Sequence, residues 1–253
     1  MSSLERRKKI LEYLNRQIEV KTEELSQHFD VSVGTLRNDI IKMEKDGLLI
    51  RTHGGAKVLS NMNQAFSFQS RFFSHGEEKE AIAKEALRLI HDNQCLIMDA
   101  STTALTLAKA IADINQLIIV TNGINTAMAF DDKPNVRQIL IGGMVAKGTA
   151  SLEGVLGKDI LSDISADLAF VSACGFSLKD GLTDFNILGC ELKKEMLKCA
   201  KKKIALLDYS KLETRSVSCF ANVNEIDLII TDYKADPKVI QKYRNAGIEV
   251  WVC

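Results

Sequence analysis

The stretch VKTEELSQHFDVSVGTLRNDIIKMEKDGLLIRTHGGA, from Val20 to Ala56, contains two helix starts, a tight turn and a basic hairpin. Thr22 marks the first helix start, because threonine favours this position and the two glutamates after it suit the amides of the first turn. Ser32 marks the second start, and the apolar spacing after it predicts a helix over 33–45. Only two residues separate the helices, so the turn between them is sharp. The pattern predicts a helix-turn-helix.

The second helix is predicted to be the recognition helix of this motif. Leu36, Ile40 and Met43 recur at three-to-four spacing and predict its buried stripe. Side chains near the start of such a helix reach base edges in the major groove of DNA. The candidates at these positions are Ser32, Thr35, Arg37 and Asn38. Glycine after a helix accepts left-handed backbone, so Asp46-Gly47 is predicted to end the helix.

A hairpin is predicted immediately after the recognition helix. Apolar and polar residues alternate from Leu48, and a turn at His53-Gly54-Gly55 precedes a return strand. Such a wing places basic side chains against phosphates or in a minor groove. The candidates are Arg51, His53 and Lys57. A small helical subdomain with a surface hairpin is the alternative, but the agreement of caps, turn and periodicity favours DNA binding.

The length of the chain predicts two domains, because 253 residues are too many for a winged helix alone. We expect a DNA-binding domain over 1–59, a linker over 60–75 and an α/β effector-binding and oligomerisation domain over 76–253. The formal net charge is zero, and residues 1–60 carry 11 Lys and Arg against 9 Asp and Glu. Non-specific binding to a polyanion is thereby disfavoured, since such affinity depends on the number of phosphates neutralised.

The basic groups of the first domain are positioned rather than abundant. Those expected to form one face are Arg6-Arg7-Lys8-Lys9, Arg37, Arg51 and Lys57. A weak single face implies that affinity for double-stranded DNA comes from two copies on paired half-sites. We therefore expect a homo-oligomer, either a dimer or a tetramer.

Targeting and metal-binding patterns are missing from the sequence. No run approaches the roughly 20 apolar residues of a membrane span, so we expect a cytoplasmic protein with no membrane partner. The six cysteines lack the close paired spacing of metal ligands. We expect no bound metal and no cofactor.

The second domain is predicted to contain a Rossmann-like, mostly parallel α/β sheet, because short apolar runs alternate with helical patterns from Gln94 onward. The predicted strands are Cys95–Met98, Leu117–Thr121, Val136–Ile141, Leu168–Ser172, Lys203–Leu207, Leu228–Thr231 and Ile248–Val252. In such sheets ligands bind beyond the carboxyl ends of the strands.

Small, hydroxyl or glycine residues follow five of the predicted strands. The candidate effector-binding residues are Asp99, Ser101, Thr102, Thr103, Asn122, Gly142, Gly143, Gly175, Phe176, Gly181, Thr183, Asp208 and Lys211. Hydroxyls and amides at the start of a helix suit a phosphate, although helix capping by Ser101 or Thr102 is the plain alternative. Lys211 is equally suited to a phosphate and to an ion pair with Asp208. Together these residues predict a polar, phosphate-accepting pocket.

The first domain resembles DeoR-type bacterial transcriptional regulators. The residues that carry the resemblance are Arg6–Ile10, Leu14, Glu24-Leu25, Phe29, Val31-Ser32, Thr35-Leu36-Arg37, Asp39-Ile40, Glu44, Gly47 and Arg51–Ala56. The chain departs from the family at Asn38, where a second arginine is usual. Asparagine reads adenine or binds a phosphate, so the operator sequence stays open.

The second domain is similar to the effector domain of the same family. The matching residues are Asp99–Thr103, Thr121-Asn122, Gly142-Gly143, Gly175, Gly181-Leu182-Thr183, Glu191, Asp208 and Ser210-Lys211. Departures occur at Ala100, Ser101 and Cys174. The resemblance implies a sensor domain related to phosphosugar isomerases. It also implies a repressor of a sugar-metabolism operon that is relieved by a phosphorylated sugar, without naming the sugar.

Two other functions compete with this interpretation. A phosphosugar isomerase needs a carboxylate general base, yet the loop Ser172–Phe176 contains no acid, and Asp180 and Asp184 are interpreted as turn-forming or solvated residues. We therefore expect no enzymatic activity and no catalytic residue. The other competitor is an architectural DNA-binding protein without a ligand, which five polar strand ends disfavour.

Overall fold

The computed structural model describes residues 2–14, 17, 19–45, 48–58, 68–112 and 114–253. The chain divides into two units, Met1–Ser74 and His75–Cys253.

The first unit combines short helices with a small antiparallel sheet. Its elements are α1 (Ser3–Leu14), β1 (Glu19–Lys21), α2 (Thr22–Phe29), α3 (Val33–Lys45), β2 (Leu49–Thr52), β3 (Gly55–Val58) and α4 (Phe68–Phe73). The strand order is β1-β3-β2. The sequence predicted α2, α3 and the β2-β3 hairpin but missed β1, since three residues show no usable alternation.

The start of α3 agrees with the predicted cap, whereas the start of α2 differs from it. The Thr35 amide donates to Ser32 Oγ at 3.2 Å, which confirms the Ser32 cap. Thr22 is instead the first residue of α2, and Lys21 occupies the cap position without a side-chain hydrogen bond. The Thr22 amide donates to the Gly54 carbonyl of the wing turn at 2.8 Å, so backbone from the hairpin replaces the cap. The predicted stop at Asp46-Gly47 lies outside the described residues.

The core of the first unit is formed by all of its helices and strands. Its buried members are Ile10, Leu11, Leu14, Val20, Leu25, Leu36, Ile40, Met43, Leu48, Leu49, Ala56 and Phe73. The buried stripe predicted for α3 is therefore confirmed. Phe73 comes from the segment interpreted as a linker, where residues 68–73 form a helix; residues 59–67 lie outside the described part of the chain.

The second unit is built on a seven-stranded parallel sheet. The strands of the whole unit, including two small sheets, are β4 (Cys95–Met98), β5 (Leu117–Thr121), β6 (Val136–Leu140), β7 (Met144–Ala146), β8 (Ser151–Glu153), β9 (Ala166–Val171), β10 (Gly175–Ser177), β11 (Gly181–Asp184), β12 (Ala200–Leu206), β13 (Ser218–Ala221), β14 (Leu228–Thr231) and β15 (Glu249–Val252). The large sheet has the order β15-β14-β12-β9-β4-β5-β6, and β7-β8 and β10-β11-β13 form small antiparallel sheets. All seven predicted strands lie in the large sheet, and the predicted fold class is confirmed.

Helices cover both faces of the large sheet. They are α5 (Gly76–Ala86), α6 (Thr102–Ala110), α7 (Ile124–Met128), α8 (Lys158–Ser162), α9 (Ile187–Lys198) and α10 (Pro237–Asn245). Residues of α5 and α6 pack with Leu96 and Met98 in one buried cluster. Residues of α8, α9 and α10 pack with Ile97 in another, because successive strand residues point to opposite faces. No helix in the described ranges is long and apolar enough to cross a membrane.

The strand order reverses between β4 and β9. From β4 the chain proceeds through β5 to β6 at one edge, and it then returns to β9 on the other side of β4. Such a reversal opens a crevice at the carboxyl ends of the strands, which is where open α/β sheets bind ligands. Asp99 and Ser172 follow the two strands that border this crevice.

Candidate functional site

The exposed face of α3 carries most of the predicted base-reading residues. Ser32, Arg37 and Asn38 are exposed, and Thr35 is half-buried. Ser32 Oγ accepts from the Thr35 amide and lies 2.9 Å from Thr35 Oγ1, so both hydroxyls are already engaged in the cap. Arg37 forms no ion pair with any residue that the structure describes. Arg37 and Asn38 are therefore the side chains of this set that remain available to DNA bases.

The basic face expected at the N-terminus does not include Arg6. Its Nε donates to Asp39 Oδ2 at 2.6 Å, and the Arg6 and Asp39 side chains are only 12% and 6% exposed. This ion pair ties α1 to the buried side of α3. The prediction for Arg6 is wrong, because the sequence separates the two partners by 33 residues and shows nothing of their contact.

The hairpin β2-β3 forms the predicted wing. His53 and Gly54 make its turn, His53 is exposed, and Lys57 is half-buried. Gly55 is required by packing, since a Cβ atom there would lie 2.3 Å from the Val20 carbonyl oxygen. A cleft of about 480 Å³ separates the wing from α3 and is lined by Thr22, Arg37, Ile40, Ile41, Glu44, Arg51, Thr52, His53, Gly54 and Gly55.

Arg51 is held by Glu44 at the edge of this cleft. Its Nε donates to Glu44 Oε2 at 2.5 Å and its backbone amide donates to Glu44 Oε1 at 3.2 Å. The Arg51 amide and guanidinium together outweigh burial and hold the pKa of Glu44 below its usual range. One acidic side chain on α3 thus fixes a basic side chain on the wing.

In the second unit, Asp99 directly follows β4, next to the point where the strand order reverses. It is fully buried, its Oδ1 accepts from the Ser101 amide at 3.1 Å, and its Oδ2 accepts from the Ser172 amide at 3.1 Å. Ser101 Oγ accepts from the Ala104 amide at 3.1 Å, so Ser101 caps α6 as the plain alternative predicted. Thr102 and Thr103 form the first turn of α6 and are buried.

Lys193 joins three loops at this crevice and was missed from the sequence. Its Nζ donates to the Ser172 carbonyl at 2.8 Å and lies 2.9 Å from Asp99 Oδ2 and 2.8 Å from Asp184 Oδ2. Burial alone would lower the pKa of Lys193, but Asp184 and Asp99 outweigh burial and raise this pKa above its usual range. The ammonium group therefore stays charged and binds the ends of β4, β9 and β11 together.

A sequence signal for Lys193 did exist. Cys190, Met196 and Leu197 occupy the buried face of α9, and Lys193 shares this face at helical spacing. A lysine on an apolar face needs a buried partner, because an unpaired buried charge is strongly unfavourable.

Asp184 is an ion-pair partner rather than the turn-forming or solvated residue that was predicted. Its side chain is 13% exposed, and its Oδ1 accepts from the Cys174 thiol at 3.1 Å and from the Phe185 amide at 2.8 Å. Burial would raise the pKa of Asp184, but the Lys193 ammonium outweighs it and lowers this pKa. Asp184 is therefore ionised at neutral pH.

Asn122 borders the same end of the sheet and is almost fully buried. Its Nδ2 donates to the Leu152 carbonyl at 2.9 Å, whereas its Oδ1 has no hydrogen-bond partner among the described residues. Gly142 is exposed, and Gly143 approaches β8 so closely that a Cβ atom would lie 2.6 Å from the Glu153 carbonyl oxygen. Asn122 thus presents an acceptor that lacks a donor.

The candidates on β10 and β11 are engaged by neighbouring residues of the second unit. Phe176 is fully buried and its ring packs edge-on against Tyr243, with 5.1 Å between centroids. Thr183 Oγ1 donates to the Gly175 carbonyl at 3.0 Å. Gly181 has a φ of +66°, and a Cβ atom there would lie 2.1 Å from the Ala221 carbonyl oxygen. The structure gives these four positions packing roles.

Asp208 and Lys211 follow β12. Asp208 Oδ1 accepts from the Ser210 amide at 3.1 Å, and Lys211 Nζ lies 3.9 Å from Asp208 Oδ2. Lys211 therefore lies within ion-pair distance of Asp208. In the described ranges no group of three or more His, Cys, Asp or Glu side chains is arranged to hold a metal ion.

A helix-turn-helix with a wing, followed by an α/β unit with a polar crevice, defines a DNA-binding regulator with a sensor. Comparisons with known families agree. The DeoR-like helix-turn-helix domain matches residues 6–62, and the DeoR C terminal sensor domain matches residues 74–233.

Several curated relatives match over nearly the whole chain. The HTH-type transcriptional regulator GolR of Listeria innocua is 42% identical over 99% of this chain and 98% of its own length. The HTH-type transcriptional repressor GlcR of Bacillus subtilis is 34% identical over 96% of this chain and 93% of its own length. A solved D-ribose-5-phosphate isomerase in complex with phospho-erythronic acid is 17% identical over 54% of each chain, with a TM-score of 0.41 that is too low to support a conclusion.

The chain belongs to the DeoR family and is a DNA-binding transcriptional regulator.

Proposed function

We propose that this regulator represses a sugar-metabolism operon and releases its operator when a phosphorylated sugar binds the β4-β9 crevice. The observation that carries the proposal is the position of the N-terminus of α6. This helix begins directly after β4, at the point where the strand order reverses. A match to a sensor domain and the name of the relative GlcR, a repressor, support the same function.

The phosphate of the effector would be held by the first turn of α6. First-turn amides have no acceptor within a helix, and the helix dipole favours an anion there. Ser101 Oγ engages the Ala104 amide, and the proposed phosphate contacts are the amides and hydroxyls of Thr102 and Thr103 in the first turn of α6. Asn122 Oδ1 would accept a hydrogen bond from a sugar hydroxyl, because a buried acceptor without a donor is unfavourable.

Binding without turnover is the outcome that the carboxylates favour. Asp99 has both oxygens engaged, and Asp184 accepts three hydrogen bonds, one of them from Lys193. Asp208 is buried and accepts from Ser210. A general base must be free to accept a substrate proton, and each of these three carboxylates already accepts at least one hydrogen bond.

The DNA-binding surface would consist of the α3 face and the wing. The proposed contacts are Ser32, Thr35, Arg37, Asn38, Arg51, His53 and Lys57. Arg37 and Asn38 would read bases, and the wing residues would meet phosphates. Effector binding would couple to DNA release with about 1 to 3 kcal/mol, the usual range for allosteric proteins.

Substitutions at the start of α6 are expected to give a repressor that cannot be induced. Thr102→Ala and Thr103→Ala remove hydroxyls beside the proposed phosphate, while α3 and the wing stay intact. A DNA duplex that the unmodified protein binds is first selected from a random library and labelled with a fluorophore. Its release from the protein is then measured as each member of a panel of sugar phosphates is added. We expect the unmodified protein to release the duplex with at least one sugar phosphate and both variants to require at least about tenfold more.

Thr106→Ala is the matched control, since it removes a hydroxyl from the same helix one turn later. Equal loss of response in all three variants would contradict the proposed phosphate position. NMR is used to test whether the protein interconverts isomers of any sugar phosphate in the panel. If it does, the second unit is an enzyme rather than only a sensor.

We also propose that the protein forms a homo-oligomer, a dimer or a tetramer, through the second unit. Large apolar side chains are exposed on β7, on the turn before α8, on α8 itself and at the start of α9: Met144, Val145, Val155, Leu156, Ile160, Ile187 and Leu188. A large exposed apolar patch is unusual on a monomer, and these side chains are the ones from which it would form. Two recognition helices in one assembly would engage paired half-sites.

Aspartate at the most exposed of these positions is expected to dissociate the oligomer. Val145 and Leu156 are 68% and 78% exposed, so V145D and L156D do not disturb the core. Light scattering after size-exclusion chromatography should show the monomer mass, and affinity for the selected duplex should fall at least about tenfold because bivalent binding is lost. V252D, at an exposed position on the edge strand β15, is the control; a mass unchanged in all three variants would refute this surface.

A further inference from the structure

Glu44 is an acidic residue on the recognition helix, where a negative charge is unfavourable for binding DNA. It lies seven residues after Arg37, which places the two side chains on the same face of α3, and both line the cleft between α3 and the wing. Phosphates approaching this cleft would be repelled by a free carboxylate. The presence of Glu44 therefore calls for a compensating role.

Both oxygens of the Glu44 carboxylate are committed to Arg51. Oε2 accepts from Arg51 Nε at 2.5 Å, and Oε1 accepts from the Arg51 backbone amide at 3.2 Å. A carboxylate engaged in this way is not free to accept from a cytosine amino group. Direct base reading is thus not its role in this arrangement.

The contact leaves the outer part of the Arg51 guanidinium available. Nε donates to Glu44, whereas the two terminal nitrogens carry the remaining four N–H groups of the side chain. The Arg51 side chain is 50% exposed and that of Glu44 is 35% exposed. The guanidinium therefore keeps one edge on Glu44 and presents its other edge to solvent.

We infer that Glu44 is a positioning residue for specific DNA recognition, which fixes the wing strand and the outward edge of Arg51 relative to the reading face of α3. Its backbone contact sets the position of β2, and its side-chain contact sets the direction of the guanidinium. A fixed guanidinium makes its bonds only when the duplex lies in the register that α3 reads. A mobile one would neutralise phosphates on any duplex.

The inference rests on the proposed contact between Arg51 and DNA. It predicts different effects on the selected and scrambled duplexes, whereas a purely structural role of Glu44 predicts equal effects on both. In Glu44→Gln one negative charge is lost and the guanidinium is released. Affinity for the selected duplex should fall about tenfold, the size of one good oriented contact. Affinity for a scrambled duplex of the same composition should stay the same or rise, because the carboxylate no longer repels phosphates.

The matched control is Glu23→Gln, which removes the same charge from an exposed position on α2 outside the cleft. We expect it to change the affinities for both duplexes by the same factor and to leave their ratio unchanged. Arg51→Lys is the second test variant, since it keeps the charge but lacks Nε. It should lower the ratio as Glu44→Gln does, without changing the dependence of scrambled-duplex affinity on salt.

Binding of the full-length variants to both duplexes is measured by fluorescence anisotropy at several salt concentrations. The quantity compared is the ratio of the affinity for the selected duplex to the affinity for the scrambled duplex. If this ratio in Glu44→Gln and Arg51→Lys equals that of the unmodified protein, the positioning role is overturned. Equal losses on both duplexes would overturn it as well, since they indicate general damage to the fold. Arg51→Ala tests the underlying contact separately: if it leaves both affinities and the salt dependence unchanged, Arg51 does not touch DNA.

Discussion

Replacing Lys193 with methionine is expected to lower the free energy of unfolding of the second unit by about 3 to 5 kcal/mol, the cost of removing one partner from a buried ion pair. The Lys193 side chain is only 10% exposed, and Asp99 and Asp184 would lose their shared counter-ion. Methionine retains the length of the side chain, so the loss comes from charge rather than from an empty space. Urea unfolding followed by circular dichroism measures the change.

Between pH 5 and 8 the stability of the Lys193→Met variant should depend on pH, whereas the contribution of the unmodified ion pair should not. The pKa of Asp184 is lowered in the folded state, so its stabilising effect is present above the usual pKa of aspartate and is lost as the pH falls through the lowered value. The pKa of Lys193 is raised, so its effect is lost only above the usual pKa of lysine. Between pH 5 and 8 the unmodified ion pair should therefore contribute a constant stability.

In the variant Asp184 is buried without its cation, and burial favours its protonated form. Stability should rise as the pH falls from 8 to 5. The double variant Lys193→Met with Asp184→Asn removes one of the unpaired charges and should regain part of the lost stability. A variant as stable as the unmodified protein at pH 8 would show that the ion pair does not hold the crevice together.

Replacing Arg37 with alanine is expected to weaken binding to the selected duplex by about 1 to 3 kcal/mol per recognition helix, the value of one bidentate contact to a base. Arg37 is exposed near the start of α3 and forms no ion pair with the described residues. Fluorescence anisotropy at fixed salt measures the loss. Thermal shifts caused by sugar phosphates should be unchanged, because the substitution lies outside the second unit.

Lys42→Ala is the control for charge alone. Lys42 is exposed on the same helix, but five residues after Arg37 it lies about 140° around the helix axis. It should cause a smaller loss of affinity with no change in the preferred sequence. Equal losses in the two variants would mean that Arg37 contributes only charge.

The parts of the fold that were predicted from the sequence are those set by neighbouring residues. The Ser32 cap and the spacing of Leu36, Ile40 and Met43 lie within a dozen residues, and they define α3. The seven strands of the large sheet are four to seven residues long, and most of them are mainly apolar, although β12 contains three consecutive lysines. The resemblance to DeoR-type regulators likewise rests on contiguous motifs, which is why the class of protein was available before the structure.

The short antiparallel strands escaped prediction for a related reason. The strands β7, β8 and β10 contain three residues each, which is too short for an alternation of apolar and polar residues to be recognised, although each pairs with a strand nearby in the chain. The glycines at 175 and 181 were interpreted as ligand-binding loop residues. In the structure they lie where another backbone segment passes too closely for a Cβ atom. Close approach of two distant segments leaves no local pattern beyond the glycine itself.

The sequence by itself determined the recognition helix, the wing, the parallel sheet and the family, because periodicity, capping and turn chemistry act over a few residues. Only the tertiary structure decided which charges are paired: Arg6 with Asp39, Arg51 with Glu44, and Lys193 with Asp99 and Asp184. These three sets of ion pairs depend on distances of a few ångströms between side chains that lie up to 94 residues apart in the sequence. Those distances exist only after the helices and the sheet have packed.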